Sequence, residues 1–140
     1  MRLLRFTLIL KILLTIGWSG SLLLLSGSQF ESLGMPAPKP MLFTRLLGAA
    51  FLALLVGYVL GLRELMKGTV PTNTMLVGIV SNGLASLLLF YFGLQGTWND
   101  WGAVARYSMW SSALLTGLIA GLLGYSVLAF SGKPGTLFGK

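Results

Sequence analysis

The chain has 140 residues, 55% of them hydrophobic and 9% charged, with a net charge of +7; a soluble domain carries roughly 25% charged residues, so the composition excludes an ordinary globular fold. With no Cys and no His, a disulfide, a thiolate metal site, a His-ligated haem and a Cys/His catalytic pair are also excluded. The basic residues flank apolar runs, which assigns them to helix orientation and lipid head groups rather than to nucleic acid.

The N-terminal stretch MRLLRFTLILKILLTIGWSGSLLLLSGS starts basic, turns apolar and ends in small residues, as a signal peptide does. Its apolar run is interrupted by Lys11 and continues to Leu25, beyond a signal core of about 7–15 residues, so it reads as a first transmembrane helix over about 6–25. Thr7, Lys11, Thr15 and Ser19 recur at steps of four and form a polar stripe expected to face protein. Two accounts of Lys11 compete. It is either an intramembrane cation that binds an anion or a partner subunit, or a long side chain snorkelling to the N-terminal interface; a depth of about one and a half turns favours the snorkel.

Pro36, Pro38 and Pro40 in SGSQFESLGMPAPKP predict an extended, semi-rigid link. MLFTRLLGAAFLALLVGYVLGL follows, a second span over about 41–62 that reaches roughly 33 Å and crosses a hydrocarbon core of about 30 Å. After Arg45, the small residues Ala49, Ala53, Gly57 and Gly61 fall on one row, expected to be buried against another helix. Arg63, Glu64 and Lys67 lead to Pro71, and Thr72, Asn73 and Thr74 are candidates for capping a third span over about 74–94. On that span Gly78, Asn82 and Ser86 share a face beside Ser81 and Ala85. Asn82 is expected to hydrogen-bond a neighbouring helix, the alternative being a ligand head group.

In GLQGTWNDWGAVARYSMW, the aromatic residues Trp98, Trp101, Tyr107 and Trp110 surround Asn99, Asp100 and Arg106. They read as interface anchors, with Asp100 capping a helix that begins near Trp101. Arg106 is a candidate anion contact able to stack on Trp110. The fourth span covers about 106–130, with Ala113, Gly117 and Gly121 on one row and Thr116, Ala120 and Gly124 on the next, both suited to close packing. Residues 131–140 are expected to be a short flexible tail.

With four spans, Arg2, Arg5, Arg63, Lys67, Lys133 and Lys140 fall on one side and Lys39, Arg45 and Arg106 on the other. The chain therefore reads as an all-α integral membrane protein, a four-transmembrane-helix bundle in one membrane domain with both termini cytoplasmic. In a bacterium the membrane would be the inner one. Glu31 and Asp100 then share the outer side with Arg45 and Arg106 and are expected to form a small polar cluster there, unless they pair with Lys39 and Arg106 or cap helices.

PKPMLFTRLLGAAFLALLVGYVLGL, with a proline-flanked Arg45 ahead of a Gly/Ala-rich span, and LVGIVSNGLASLLLFYFG around Asn82 resemble small bacterial four-helix membrane proteins of the DoxX-like kind. The resemblance implies the same architecture. Some such proteins are linked with quinone-coupled oxidation as membrane subunits, and no catalytic residue carries over to this chain.

Two functions follow as expectations. One is a non-catalytic subunit or assembly factor of a larger membrane complex, with lipids and other subunits or a second copy as partners. The other is binding or transport of a small amphipathic or anionic ligand, such as a lipid or quinone-like molecule, with Arg45, Arg106 and Lys11 as contacts; pigment contact is a further option, and no metal is expected. An enzyme is disfavoured because the only acids, Glu31, Glu64 and Asp100, lie in loops without a His or Cys to act with.

Overall fold

The computed structural model describes residues 1–131 and contains helices α1 (Arg2–Leu24), α2 (Gly27–Ser32), α3 (Leu42–Met66), α4 (Thr72–Leu94) and α5 (Ala103–Ser131). Four of these, α1, α3, α4 and α5, are long and apolar enough to cross a membrane. Their ends overrun the apolar runs: α1 begins at Arg2 and α3 continues through Arg63 and Glu64 to Met66. Arg and Glu are good helix formers, so the helix continues where hydropathy stops. The tail expected over 131–140 lies outside the described residues beyond Ser131.

The connector is not wholly extended. Ser26 accepts from the Gln29 backbone N–H while the Gln29 side chain accepts from the Ser26 N–H, a reciprocal capping box that starts the short helix α2. The chain then turns at Gly34, where φ is +80°, before the proline segment.

The four long helices alternate in direction. The starts of α1 and α4 and the ends of α3 and α5 share one face, called here the terminal face; α2, the prolines and the Trp98 loop make up the opposite, connector face. Two hairpins form, α1 on α3 and α4 on α5. In the first, Ser19 donates to the Gly48 carbonyl at 3.0 Å, and a Cβ on Gly48 would lie 2.8 Å from Leu23. In the second, Ser86 donates to the Ala113 carbonyl at 2.9 Å, with Gly117 against the Ser86 hydroxyl. Such pairing through small residues and hydroxyls is how helices associate where lipid removes the hydrophobic drive. The hairpins meet toward the terminal face, where Leu4, Leu8, Tyr58, Leu65, Met75, Ile119 and Leu123 form one apolar core.

The stripe of α1 faces protein as expected, with Thr7, Thr15 and Ser19 buried, and so does the Gly78, Asn82, Ser86 face of α4. The expected row of α3 does not. Ala49, Ala53 and Gly57 point outward, and only Gly61 is covered, by Thr74. The face that packs runs through Thr44, Gly48, Tyr58, Gly61 and Leu65, about 100° round the helix from Ala49. Gly48 offers α1 a smaller neighbour than Ala49, and its carbonyl accepts from the Ser19 hydroxyl. On α5, Gly117 packs but Gly121 has nothing within 4 Å.

Several expected caps also differ. Helix α4 begins at Thr72 with Pro71 before it and no side-chain cap; Pro71 ends the preceding link, and Thr74 is occupied against Gly61. Helix α5 begins at Ala103, where the Gly102 carbonyl accepts from the Arg106 N–H at 3.0 Å, so Asp100 lies too far upstream to cap it.

Candidate functional site

Toward the connector face the two hairpins part, leaving a cavity of about 770 Å³. On the terminal side α3 and α4 touch where Thr74 covers Gly61 and where Tyr58 meets Gly78 and Ser81. Farther along, Phe43, Leu47 and Phe51 of α3 and Ala85, Leu88 and Leu89 of α4 line the cavity instead. The packed core lies below one end. Phe30, Met35, Pro36 and Trp101 border the other as a partial cover.

That cover is held by a backbone contact. Gly102 N–H donates to the Gly34 carbonyl at 2.9 Å, and a Cβ on Gly34 would stand 2.6 Å from the Gly102 Cα. Two glycines are needed here, one for its positive φ and both for the approach.

The inner end carries the cavity's cation and its amide. Lys11 stands about 14 Å along α1 from Arg2, nine residues at 1.5 Å each. Its Nζ lies 5.5 Å from the centre of the Tyr58 ring, a cation–π contact. The Tyr58 and Ser81 hydroxyls are 3.0 Å apart. Asn82 is 1% exposed and donates its Nδ2 to the Gly78 carbonyl at 2.6 Å. Its Oδ1 has no partner. Since a carbonyl fixes which end of the amide is the donor, the orphan is an acceptor. The Lys11 ammonium makes no ion pair or hydrogen bond among the described residues, although the Lys11 carbonyl accepts from the Thr15 hydroxyl, and Lys11 and Asn82 both line the cavity. The snorkelling expected of Lys11 is thus replaced by an inward position over Tyr58, because α1 begins near the terminus and leaves Lys11 mid-helix. Asn82 bonds within its own helix rather than across to a neighbour.

The expected outer cluster of cations and acids is not assembled. Arg45 donates to the Leu22 and Leu25 carbonyls at 2.7 and 2.8 Å, so its guanidinium closes the C-terminal turn of α1, where helix carbonyls lack partners and the dipole is negative. Arg106 is exposed and reaches the Asn99 carbonyl at 3.5 Å. Glu31 and Asp100 do come together, lining a shallow recess with Trp101, but neither arginine lines it. Lys39 does not line it either.

The aromatic residues divide. Tyr107 is 74% exposed, as an interface anchor would be, whereas Trp98 is 3% exposed. Trp98 packs edge-on against Trp110 with ring centres 5.8 Å apart and tilts against Trp101 at 6.3 Å. Trp110 also meets Phe90 at 5.9 Å, so its neighbours are rings rather than Arg106. Trp98 and Trp110 both crowd Gly93. The tryptophans therefore build the connector end of the α4/α5 hairpin, and a side of Trp101 becomes cavity cover.

No family model matches the chain, and no curated protein or solved structure does either. The site is read from its own geometry. Sequence reasoning located Lys11 and Asn82 individually and placed Ser81 and Ala85 only as packing neighbours of Asn82; Tyr58 and the cavity as a whole were missed. One signal was present: two polar residues mid-span in different apolar helices.

Proposed function

We propose that this chain is an integral membrane protein, both termini cytoplasmic, that binds a small amphipathic, lipid-like molecule between its two hairpins without catalysing a reaction. The observation that carries this reading is the cavity of about 770 Å³, within the range of roughly 300–1,000 Å³ for small-molecule sites. Its walls are mainly apolar, with the hydroxyls of Thr15, Thr44, Ser112 and Thr116 spaced along them, while its cation and its amide, Lys11 and Asn82, lie at one end, a distribution that suits an amphipathic molecule. Left empty, such a space would forfeit the dispersion contacts that hold helices together in lipid. In a bilayer with a hydrocarbon core of about 30 Å, the Lys11 level falls near the midplane and the cavity occupies the outer half; in a bacterial inner membrane its cover is periplasmic.

The test is extraction of the protein in mild detergent and mass spectrometry of the small molecules that remain bound. Wild type should retain a lipophilic compound in near-equimolar amount, and Ala85→Trp, which fills the cavity from α4, should lose it while keeping its helicity. Equal retention by the two proteins, or none by wild type, overturns the reading.

Membership of a larger complex as a non-catalytic subunit is favoured by a separate observation. Ala49, Ala53 and Gly57 leave a small-residue row facing outward on α3, where a helix from another chain can approach closely.

A further inference from the structure

We infer that the molecule bound in this cavity is a single-chain carboxylic acid held head-inward, its carboxylate at Lys11 and its hydrocarbon chain running out toward Trp101. This rests on the reading of the cavity as a lipid-binding site and specifies which lipid and which way round.

The first argument is charge. Lys11 presents three N–H donors midway along a bundle, with the face of the Tyr58 ring at 5.5 Å. The acids of this chain, Glu31, Glu64 and Asp100, lie at or beyond the helix ends, so none reaches its level. A cation in hydrocarbon is costly unless neutralised. A ligand carboxylate supplies the missing charge. An ammonium on a flexible stem can donate to that carboxylate and, with a remaining N–H, to the unpartnered Oδ1 of Asn82, which satisfies both groups together.

The second argument is the direction of polarity. The cation and the amide, Lys11 and Asn82, lie at the inner end, and Phe30, Met35, Pro36 and Trp101 border the mouth; Thr15 and Thr116, between them, donate their hydroxyls to carbonyls of their own helices. A phospholipid in the outer leaflet has the reverse order, head at the surface and chains at the midplane, and would set its head against apolar cover and its chain ends against Lys11. A single-chain acid entering head-first matches both ends. The slot between α3 and α4, lined by Phe51 and Leu88, gives it a path from the bilayer.

The third argument is length. From Lys11 to Leu22, both lining residues, α1 advances about 16 Å at 1.5 Å per residue. An extended chain covers roughly 1.2 Å per bond, a third of the 3.6 Å that three backbone bonds span. The cavity thus takes about thirteen bonds, the span of a twelve-carbon acid from its carboxylate oxygen to a terminal bromine.

The experiment uses ω-bromododecanoic acid and its methyl ester, with tryptophan quenching by the terminal bromine as the readout, on the full chain in detergent. Trp18 also lines the cavity, so the probes are compared in a Trp18→Phe background; head-inward binding places the bromine beside Trp101, and there Trp101→Phe should remove most of the remaining quenching. Lys11→Met, similar in shape and replacing a side chain that makes no hydrogen bond among the described residues, should weaken the acid about tenfold or more, as loss of a charge-assisted contact does. The ester should bind weakly and ignore that substitution. Equal binding of ester and acid, an unchanged affinity in Lys11→Met, or unchanged quenching in Trp101→Phe overturns the inference, as does absence of quenching by both probes. If Ala85→Trp abolishes quenching by both probes while Lys11→Met changes nothing, the cavity still binds lipid and only the head-group assignment falls.

Discussion

Arg45 provides the sharpest test of how the α1/α3 hairpin is held. Its guanidinium donates to the Leu22 and Leu25 carbonyls at 2.7 and 2.8 Å, two bonds that a flat, forked donor can make together and an ammonium cannot match in geometry. A hydrogen bond to a charged group contributes about 1.5–3 kcal/mol when well buried. Arg45 is partly exposed, so about 1 kcal/mol for each bond is the appropriate scale after solvent screening. Arg45→Met loses both bonds and the favourable charge at the α1 C-terminus, and should destabilise by about 2 kcal/mol. Arg45→Lys keeps the charge and at most one bond, and should lose about 1 kcal/mol. Unfolding with SDS in mixed micelles, followed by far-ultraviolet circular dichroism, measures both. If the two variants unfold within about 0.5 kcal/mol of wild type, the carbonyls are served equally well by water and the arginine is only an interface anchor.

Gly48→Ala puts a Cβ 2.8 Å from Leu23 Cγ and 3.1 Å from Leu22 Cβ, so the same titration should show a loss of about 1–3 kcal/mol from overpacking. Gly57→Ala, with nothing within 4 Å, should be neutral or slightly stabilising through helix propensity; Gly57→Leu should likewise preserve the fold but reduce the size of any native complex on blue-native electrophoresis, and unchanged size removes the support for a subunit role. Gly102→Ala would set a Cβ 2.9 Å from the Gly34 Cα, a backbone atom that cannot swing aside. Amide exchange in residues 30–38 should quicken severalfold as the cover loosens, and unaltered exchange would show that the Gly34–Gly102 contact does not hold it.

The parts of the site that were legible in the sequence are those set by local rules. Thr7, Thr15 and Ser19 repeat at helical spacing and are buried; Gly78, Asn82 and Ser86 behave in the same way. The four span-capable helices follow from run length against bilayer thickness. The Ser26/Gln29 capping box is also present in the sequence as S-x-x-Q, but the three prolines that follow carry the stronger local signal, for an extended segment.

The choice of the α3 face was not legible, because Gly48 and Ala49 are adjacent small residues on diverging faces and either row is sterically able to pack. What decided it was a partner from elsewhere in the chain: Ser19 and Leu23 on α1 meet Gly48. Arg45 belongs to the same class. Its proximity to acidic loops in sequence suggested a carboxylate, yet the nearest acceptors in space are α1 carbonyls.

By itself, then, the amino-acid order determined that this chain makes apolar helices of membrane length, and which residues on α1 and α4 turn inward, because those properties depend on side-chain chemistry repeating at 3.6 residues per turn. Only the tertiary structure decided that α3 and α4 meet at Tyr58 and part beyond it, leaving a cavity with Lys11 and Asn82 at its end. A void is a property of how helices diverge. It is built from the separation of residues dozens of positions apart, and no spacing within one helix records it.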